Sequence, residues 1–198
     1  MNKIVLWYVI GLVLALVIAF GLGAWAASLG TSFGWAPWIL GSTIGLFTAF
    51  IGGNLAGNRK VAMATGETRD TTLSFQPRPG HALLVIYREG FVGMAAGMNV
   101  SLDGQPVAQL KSPRFTALNL TPGDHTVTFG FGGLAAAQNN QAEVVVPAVD
   151  GQVIALKAAM AMGALKNTIA VEWVEAYPSE LREKLTKMKM VAADQPAG

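Results

Sequence analysis

Two histidines, His81 and His125, and no cysteine leave this 198-residue chain little with which to hold a metal or build a nucleophile. A zinc site needs three or four convergent ligands. His125 follows the turn Pro122-Gly123 and is expected to close a strand end, and the absence of cysteine removes disulfides and thiol chemistry. Gly130 to Gly133 reads GFGG without the Lys-Ser/Thr that completes a phosphate-binding loop, and GFVGMAAG, residues 90–97, lacks a strand-to-helix setting. No residue is therefore assigned to catalysis, to a cofactor or to a metal, and the chain reads as a non-enzyme.

The residues that could bind are of other kinds. The loop REGFVGMAAGMN, residues 88–99, presents Phe91, Val92 and Met94 among glycines, and FGFGGLAAAQNNQ, residues 129–141, presents Phe131 and Leu134. Apolar side chains in glycine-rich loops mark either a partner surface, a bilayer contact or the cap of a core. Near the end of the chain, Pro178-Ser179 opens a helix with Leu181, Leu185 and Met188 on one stripe. Arg182, Lys184, Lys187 and Lys189 fill its other faces, as on a helix lying on anionic lipid or one covering a sheet edge. Small residues four apart, Gly41 with Gly45 and Gly53 with Gly57, together with Gly23 and Ala27, would let helix backbones approach closely. That packing is either within one molecule or between protomers.

The elements that must position these residues divide sharply by charge. Residues 4–57 contain no Asp, Glu, Lys, Arg or His, and all 12 acidic residues and every one of the 14 basic residues except Lys3 lie beyond them. SLGTSFGWAP, residues 28–37, interrupts the apolar run. As helices, residues 4–27 would rise roughly 36 Å and residues 37–57 roughly 31 Å, against a hydrocarbon core of about 30 Å. Two spans joined by a turn make a transmembrane helical hairpin, because inside lipid a helix satisfies its own backbone. Tryptophans stand at the expected interfaces, Trp7 at one and Trp25, Trp35 and Trp38 at the other. The first run exceeds the roughly 7–15 apolar residues of a signal peptide, so an uncleaved span is expected. Lys3 and Arg59-Lys60 flank the pair while the turn is uncharged, which places both termini in the cytoplasm.

Beyond Asp70 the apolar period becomes two. Met98, Val100 and Leu102 alternate with polar residues and turn at Asp103-Gly104; further turns fall at Pro122-Gly123 and Asp150-Gly151. With ALLVIYRE, RFTAL and NTIAVEWVE this makes about eight short strands, the pattern of an antiparallel β-sandwich. The organisation expected is a two-helix anchor over residues 1–58, a linker over 59–72, a β-sandwich over 73–178, and an amphipathic helix with a flexible tail over 179–198. The formal charge of +2 is too small and dispersed to point to nucleic acid.

In their order, ALLVIYRE, VSLDGQPVAQL, TPGDHTV, AVDGQVIALK and IAVEWVEAYPSEL resemble an uncharacterised bacterial family of PEGA-like β-sandwich modules, over residues 81–185. Leu102-Asp103-Gly104 and Pro122-Gly123-Asp124-His125 carry the resemblance best. It implies a compact sandwich, often attached to envelope proteins, with no catalytic residues to transfer, and the chain departs from it in carrying a helical hairpin. The function expected is a bacterial inner-membrane-anchored, non-enzymatic interaction or scaffold protein. Its partners would be membrane lipid and either a second copy of itself or another protein. The alternatives are an extracytoplasmic envelope- or glycan-binding module and an oligomeric membrane assembly built from hairpins, the latter opposed by the lack of polar lining residues.

Overall fold

The computed structural model describes residues 2–175 and 178–194. They form two compact units, Met1–Gly57 with Gly133–Ala135, and Asn58–Gly132 with Ala136–Gly198.

The first unit is a pair of apolar helices, α1 (Lys3–Ser28) and α2 (Ala36–Leu55). Asn2 caps α1 by accepting the Ile4 N–H at 3.0 Å, and Pro37 occupies the first turn of α2, where no N–H is needed. The turn between them reads Gly30-Thr31-Ser32-Phe33-Gly34, the spelling of a nucleophile elbow. It joins two helices rather than a strand to a helix, and Ser32 Oγ accepts the Gly34 N–H at 3.1 Å. Both helices bury small residues: Gly11, Ala19 and Ala26 on α1, and Gly41, Gly45, Ala49 and Gly52 among those on α2. A Cβ on Gly45 would fall on the Gly11 carbonyl and 2.8 Å from Ala15 Cβ, and one on Gly41 would fall on the Ala15 carbonyl. Trp7 lies on Gly52 in the same way. Gly41 and Gly45 thus pack inside the pair, the first of the two arrangements that their spacing allows. Gly53 instead meets Leu134, which belongs to the same unit, and Gly57 lies beyond the end of α2, so the second glycine motif does not pack α2 against α1.

The second unit is a mixed-sheet domain of nine strands. In chain order its elements are α3 (Gly66–Leu73), β1 (Ala82–Arg88), β2 (Met98–Leu102), β3 (Gln105–Leu110), β4 (Arg114–Leu120), β5 (Gly123–Phe131), α4 (Leu134–Gln138), whose first two residues count with the helix pair, β6 (Ala142–Ala148), β7 (Val153–Ala161), β8 (Thr168–Trp173), α5 (Pro178–Thr186) and β9 (Lys189–Met190). One sheet has the order β8-β7-β1-β4-β9 and the other β3-β2-β5-β6. The second is antiparallel throughout; the first is not, because β1 runs parallel to β7 and β4 parallel to β9. The purely antiparallel expectation fails there for a specific reason. Asp150-Gly151 does reverse the chain, but it carries it from one sheet to the other, so β7 lands beside β1 instead of pairing with β6. Pro122-Gly123 likewise joins β4 and β5 of different sheets, whereas Asp103-Gly104 closes a true hairpin with both residues at positive φ, +50° and +78°.

β1 is buried along its whole length. Its residues Leu83, Val85 and Tyr87 share one core cluster with Phe115, with Leu73 and Phe75 at the end of α3, and with Leu181 and Leu185 of α5. Burial on both faces explains why ALLVIY is a continuous apolar run rather than an alternating one. Residues 59–72 are not a free linker. The Ala64 N–H donates to Met190 O and the Ala192 N–H to Ala62 O, both at 3.0 Å, and Thr65 caps α3. The tail expected to be flexible is bonded as far as Asp194, whose N–H donates to Val107 O at 2.7 Å, and its last part, residues 195–198, lies outside the described residues.

A leucine at position 45 would drive the two helix backbones apart, so Gly45→Leu should lower the thermal midpoint of the full chain in detergent. The loss should correspond to about 1–3 kcal/mol, with the particle mass unchanged. A fall in mass before any fall in stability would show that the strip joins protomers instead.

Candidate functional site

The loop between β1 and β2 is organised around a buried cation. Arg88 ends a strand whose preceding residues are apolar, and only 1% of its surface is exposed. Its guanidinium donates to three main-chain carbonyls, to Leu110 at 2.8 Å, to Gly93 at 2.7 Å, and to Ala96. It also lies 5.2 Å from the centre of the Phe131 ring. Among the described residues it forms no ion pair, and burial lowers its pKa to about 10, where it is still charged at neutral pH. A buried charge is tolerated when its donors are met, and here the loop supplies the acceptors.

The same loop is held from its other side by Asn58, whose Nδ2 donates to Ala95 O at 3.0 Å while Oδ1 accepts the Gly97 N–H at 2.6 Å. Buried Gln109 extends the clamp: Oε1 accepts the Arg59 N–H at 2.8 Å, and Nε2 donates to Asn99 Oδ1 at 2.7 Å. Arg59 in turn meets Asp194 at 2.8 Å. Gly93 holds φ at +64° with the Met160 methyl packed against it, so the backbone there takes a left-handed turn that a side chain would obstruct. The outcome is a backbone fixed on two sides that turns its apolar tip outward. Phe91 is 85% exposed, and Val92 and Met94 are exposed with it.

Of the five apolar loop residues singled out from sequence, the structure groups Phe91, Val92 and Met94 on one surface. Phe131 is corrected: it is buried, beneath Arg88. Leu134 is half-buried against Gly53. For the basic helix the structure shows the second of its two readings, a helix packed on the domain. Its stripe of Leu181 and Leu185 is spent on the domain core, Arg182 Nε donates to Leu73 O at 2.7 Å, and Lys184 meets Glu89 at 3.2 Å. Lys187 pairs with Glu183 one turn away, and Lys189 belongs to β9 rather than to the helix. Its apolar face is thus packed on protein.

Neither histidine joins a reactive set. His125 Nδ1 lies 2.7 Å from Asp103 Oδ2 and Nε2 lies 2.8 Å from Thr121 O, while Asp103 Oδ1 accepts the Thr126 N–H. Both ring nitrogens face acceptors, so only the imidazolium satisfies both. Burial pulls the His125 pKa down, but the bonds to Asp103 and Thr121 outweigh it and the net shift is upward. The bond from His125 holds Asp103 below its ordinary value. The pair is a clasp that ties the β2-β3 turn to β5. Among the described residues no group of three or more His, Cys, Asp or Glu could hold a metal ion. No protein-family model matches the chain, and no curated protein is similar to it at the level that marks relationship.

Arg88→Met should leave three carbonyls without their donor and lower stability by about 3 kcal/mol, with faster hydrogen exchange confined first to residues 91–97. Unchanged exchange in that loop would mean that Asn58 alone holds it. The His125 clasp has a defined sign. A raised folded pKa gives stability that is complete below the unfolded value of about 6.5 and is lost as pH rises through the folded value. The lowered Asp103 pKa adds stability that is lost on acidification. The unfolding free energy should therefore fall as pH rises above about 6.5, by less than about 1 kcal/mol, because the pair is partly solvated. His125→Gln should remove that slope.

Proposed function

We propose that this chain is a membrane-anchored, non-enzymatic interaction or scaffold protein of the bacterial inner membrane, with its helix pair spanning the bilayer and its β domain facing the cytoplasm. The observation that carries this reading is the inside-out packing of α1 and α2. Glycines and alanines fill their contact, while Leu12, Val17, Phe20, Ile39, Leu46 and Phe47 are each more than 60% exposed. In water, burial of large apolar side chains at about 25 cal/mol per Å² would favour the opposite arrangement. In lipid, where association relies on close packing rather than on hydrophobicity, small-to-small contact is the favoured one. Both helices are long and apolar enough to cross a bilayer.

Sidedness follows from Lys3 before α1 and Arg59-Lys60 after α2, against an uncharged connecting turn. Support for a binding rather than a catalytic role comes from how the polar groups are used. Arg88, Gln109 and His125, the groups from which a site could be assembled, are each engaged in holding a loop or a turn. On this reading the two sheets form a sandwich of the PEGA-like kind, and loop ends are where such a scaffold presents contacts.

Fusing reporters after Gly198 tests the topology. A fluorescent protein that matures only in the cytoplasm should light up, and a phosphatase active only in the periplasm should stay silent. The reverse pattern would place the domain outside and favour the envelope-binding alternative.

A further inference from the structure

We propose that one end of the β domain, the end formed by residues 89–97, 111–113 and 162–167, rests in the headgroup region of an anionic bilayer, with Phe91 and Leu165 as its inserting side chains. This deepens the membrane reading of the helix pair and rests on it. Strand register assembles that end. Arg88 pairs with Arg114, Ala161 with Thr168, and Met98 with both Leu110 and Phe131. The Arg88 guanidinium, bonded to the Leu110 carbonyl, brings the ends of the two sheets together. The turns at 103–104, 121–124 and 149–152 therefore lie at the opposite end.

The two ends differ in what they expose. At the first, Phe91 is 85% exposed, Met162 78% and Leu165 100%, and the Met160 methyl packed on Gly93 ties the strand that leads into 162–167 to the loop of Phe91. Lys111 and Lys166 belong to the same connections, and Arg59 follows Asn58, which grips the loop of Phe91. Of the acids near it, Glu89 lies 3.2 Å from Lys184 and 3.5 Å from Lys157, Asp194 lies 2.8 Å from Arg59 and Glu183 2.8 Å from Lys187, while Glu180 lines the same hollow as Pro113. The opposite end carries an acid at each of its three turns, Asp103, Asp124 and Asp150, and its exposed large apolar groups are valines, Val149 and Val153. Large apolar tips ringed by cations match a surface of acyl chains beneath anionic headgroups. A second copy meeting this end through the same surface would bring two faces carrying Lys111 and Lys166 together, which opposes association more than an anionic surface does.

The order of the chain supports lipid as the neighbour of this end. Asn58, whose side chain grips Ala95 and Gly97, follows the last residue of α2 by three positions, a reach of about 11 Å at most. Because Arg88 and Asn58 already fix the loop, Phe91 is presented without further ordering, so insertion loses little conformational entropy.

The chain contains no cysteine, so single cysteines can be placed and labelled with a polarity-sensitive dye in the full-length protein. The positions are Phe91→Cys, Leu165→Cys, Leu12→Cys in α1 and Asp150→Cys at the opposite end. Each variant is reconstituted into vesicles of phosphatidylglycerol and phosphatidylethanolamine containing lipids spin-labelled at a shallow or a deep position. Dyes at 91 and 165 should be quenched about twofold by the shallow label and less by the deep one, as for an interfacial group. The dye at 12 should respond to the deep label, and the dye at 150 to neither. Lys111→Glu with Lys166→Glu, or replacement of phosphatidylglycerol by phosphatidylcholine, should weaken quenching at 91 and leave it unchanged at 12. An unquenched dye at 12 would overturn the membrane reading itself. Quenching at 12 without quenching at 91 and 165 would overturn only the present proposal. A blue-shifted but unquenched dye at 91 would also overturn it, in favour of a protein covering the loop.

Discussion

A guanidinium placed between two sheets needs acceptors, and in this domain the main chain of one loop provides them. Arg88 stands at the end of the most buried strand, and its bonds to Gly93, Ala96 and Leu110 reach the loop that follows β1 and the end of β3 at once. That single residue joins the end of β1 both to the loop carrying Phe91 and to β3 of the other sheet. Three carbonyls satisfied by one cation form a stiffer joint than three separate contacts, because the planar donor set fixes their mutual positions. Asn58 and Gln109 then tie the start of the domain to the same joint.

The two units place their large apolar side chains in opposite ways. In the β domain Leu84, Ile86, Phe115 and Phe129 have no exposed surface, as hydrophobic burial in water demands. In the helix pair the buried residues are small and the large ones face out. One chain thus carries two packing rules, and the change between them falls at Gly57-Asn58, the boundary between the units. A residue that is an ordinary core former in one unit is a surface residue in the other.

Much of this was legible beforehand. The uncharged run located both long helices to within a residue or two, since length and lack of charge are properties of the segment itself. Alternation with Asp-Gly and Pro-Gly turns located the strands, and the stripe of Leu181 and Leu185 located a covering helix. Reading 59–72 as a linker failed because its pairing partners lie more than a hundred residues away, at Met190 to Ala192, and no local pattern announces them. The candidate surface was legible in part. Glycine-rich apolar loops flagged Phe91, Val92 and Met94, but the same rule also flagged Phe131, which local sequence could not show to be covered by Arg88.

By itself the sequence determined which segments form helices, which form strands, and where the chain turns, because these depend on side-chain periodicity and backbone preference within a few residues. Only the tertiary structure decided which strands become neighbours. Asp150-Gly151 dictates a reversal but not a partner, and the parallel pairing of β1 with β7 follows from the crossing between sheets. Only the tertiary structure, too, distinguished Arg88 from the other 13 basic residues, because a cation becomes structural when distant carbonyls converge on it, and convergence is a property of the fold rather than of any segment.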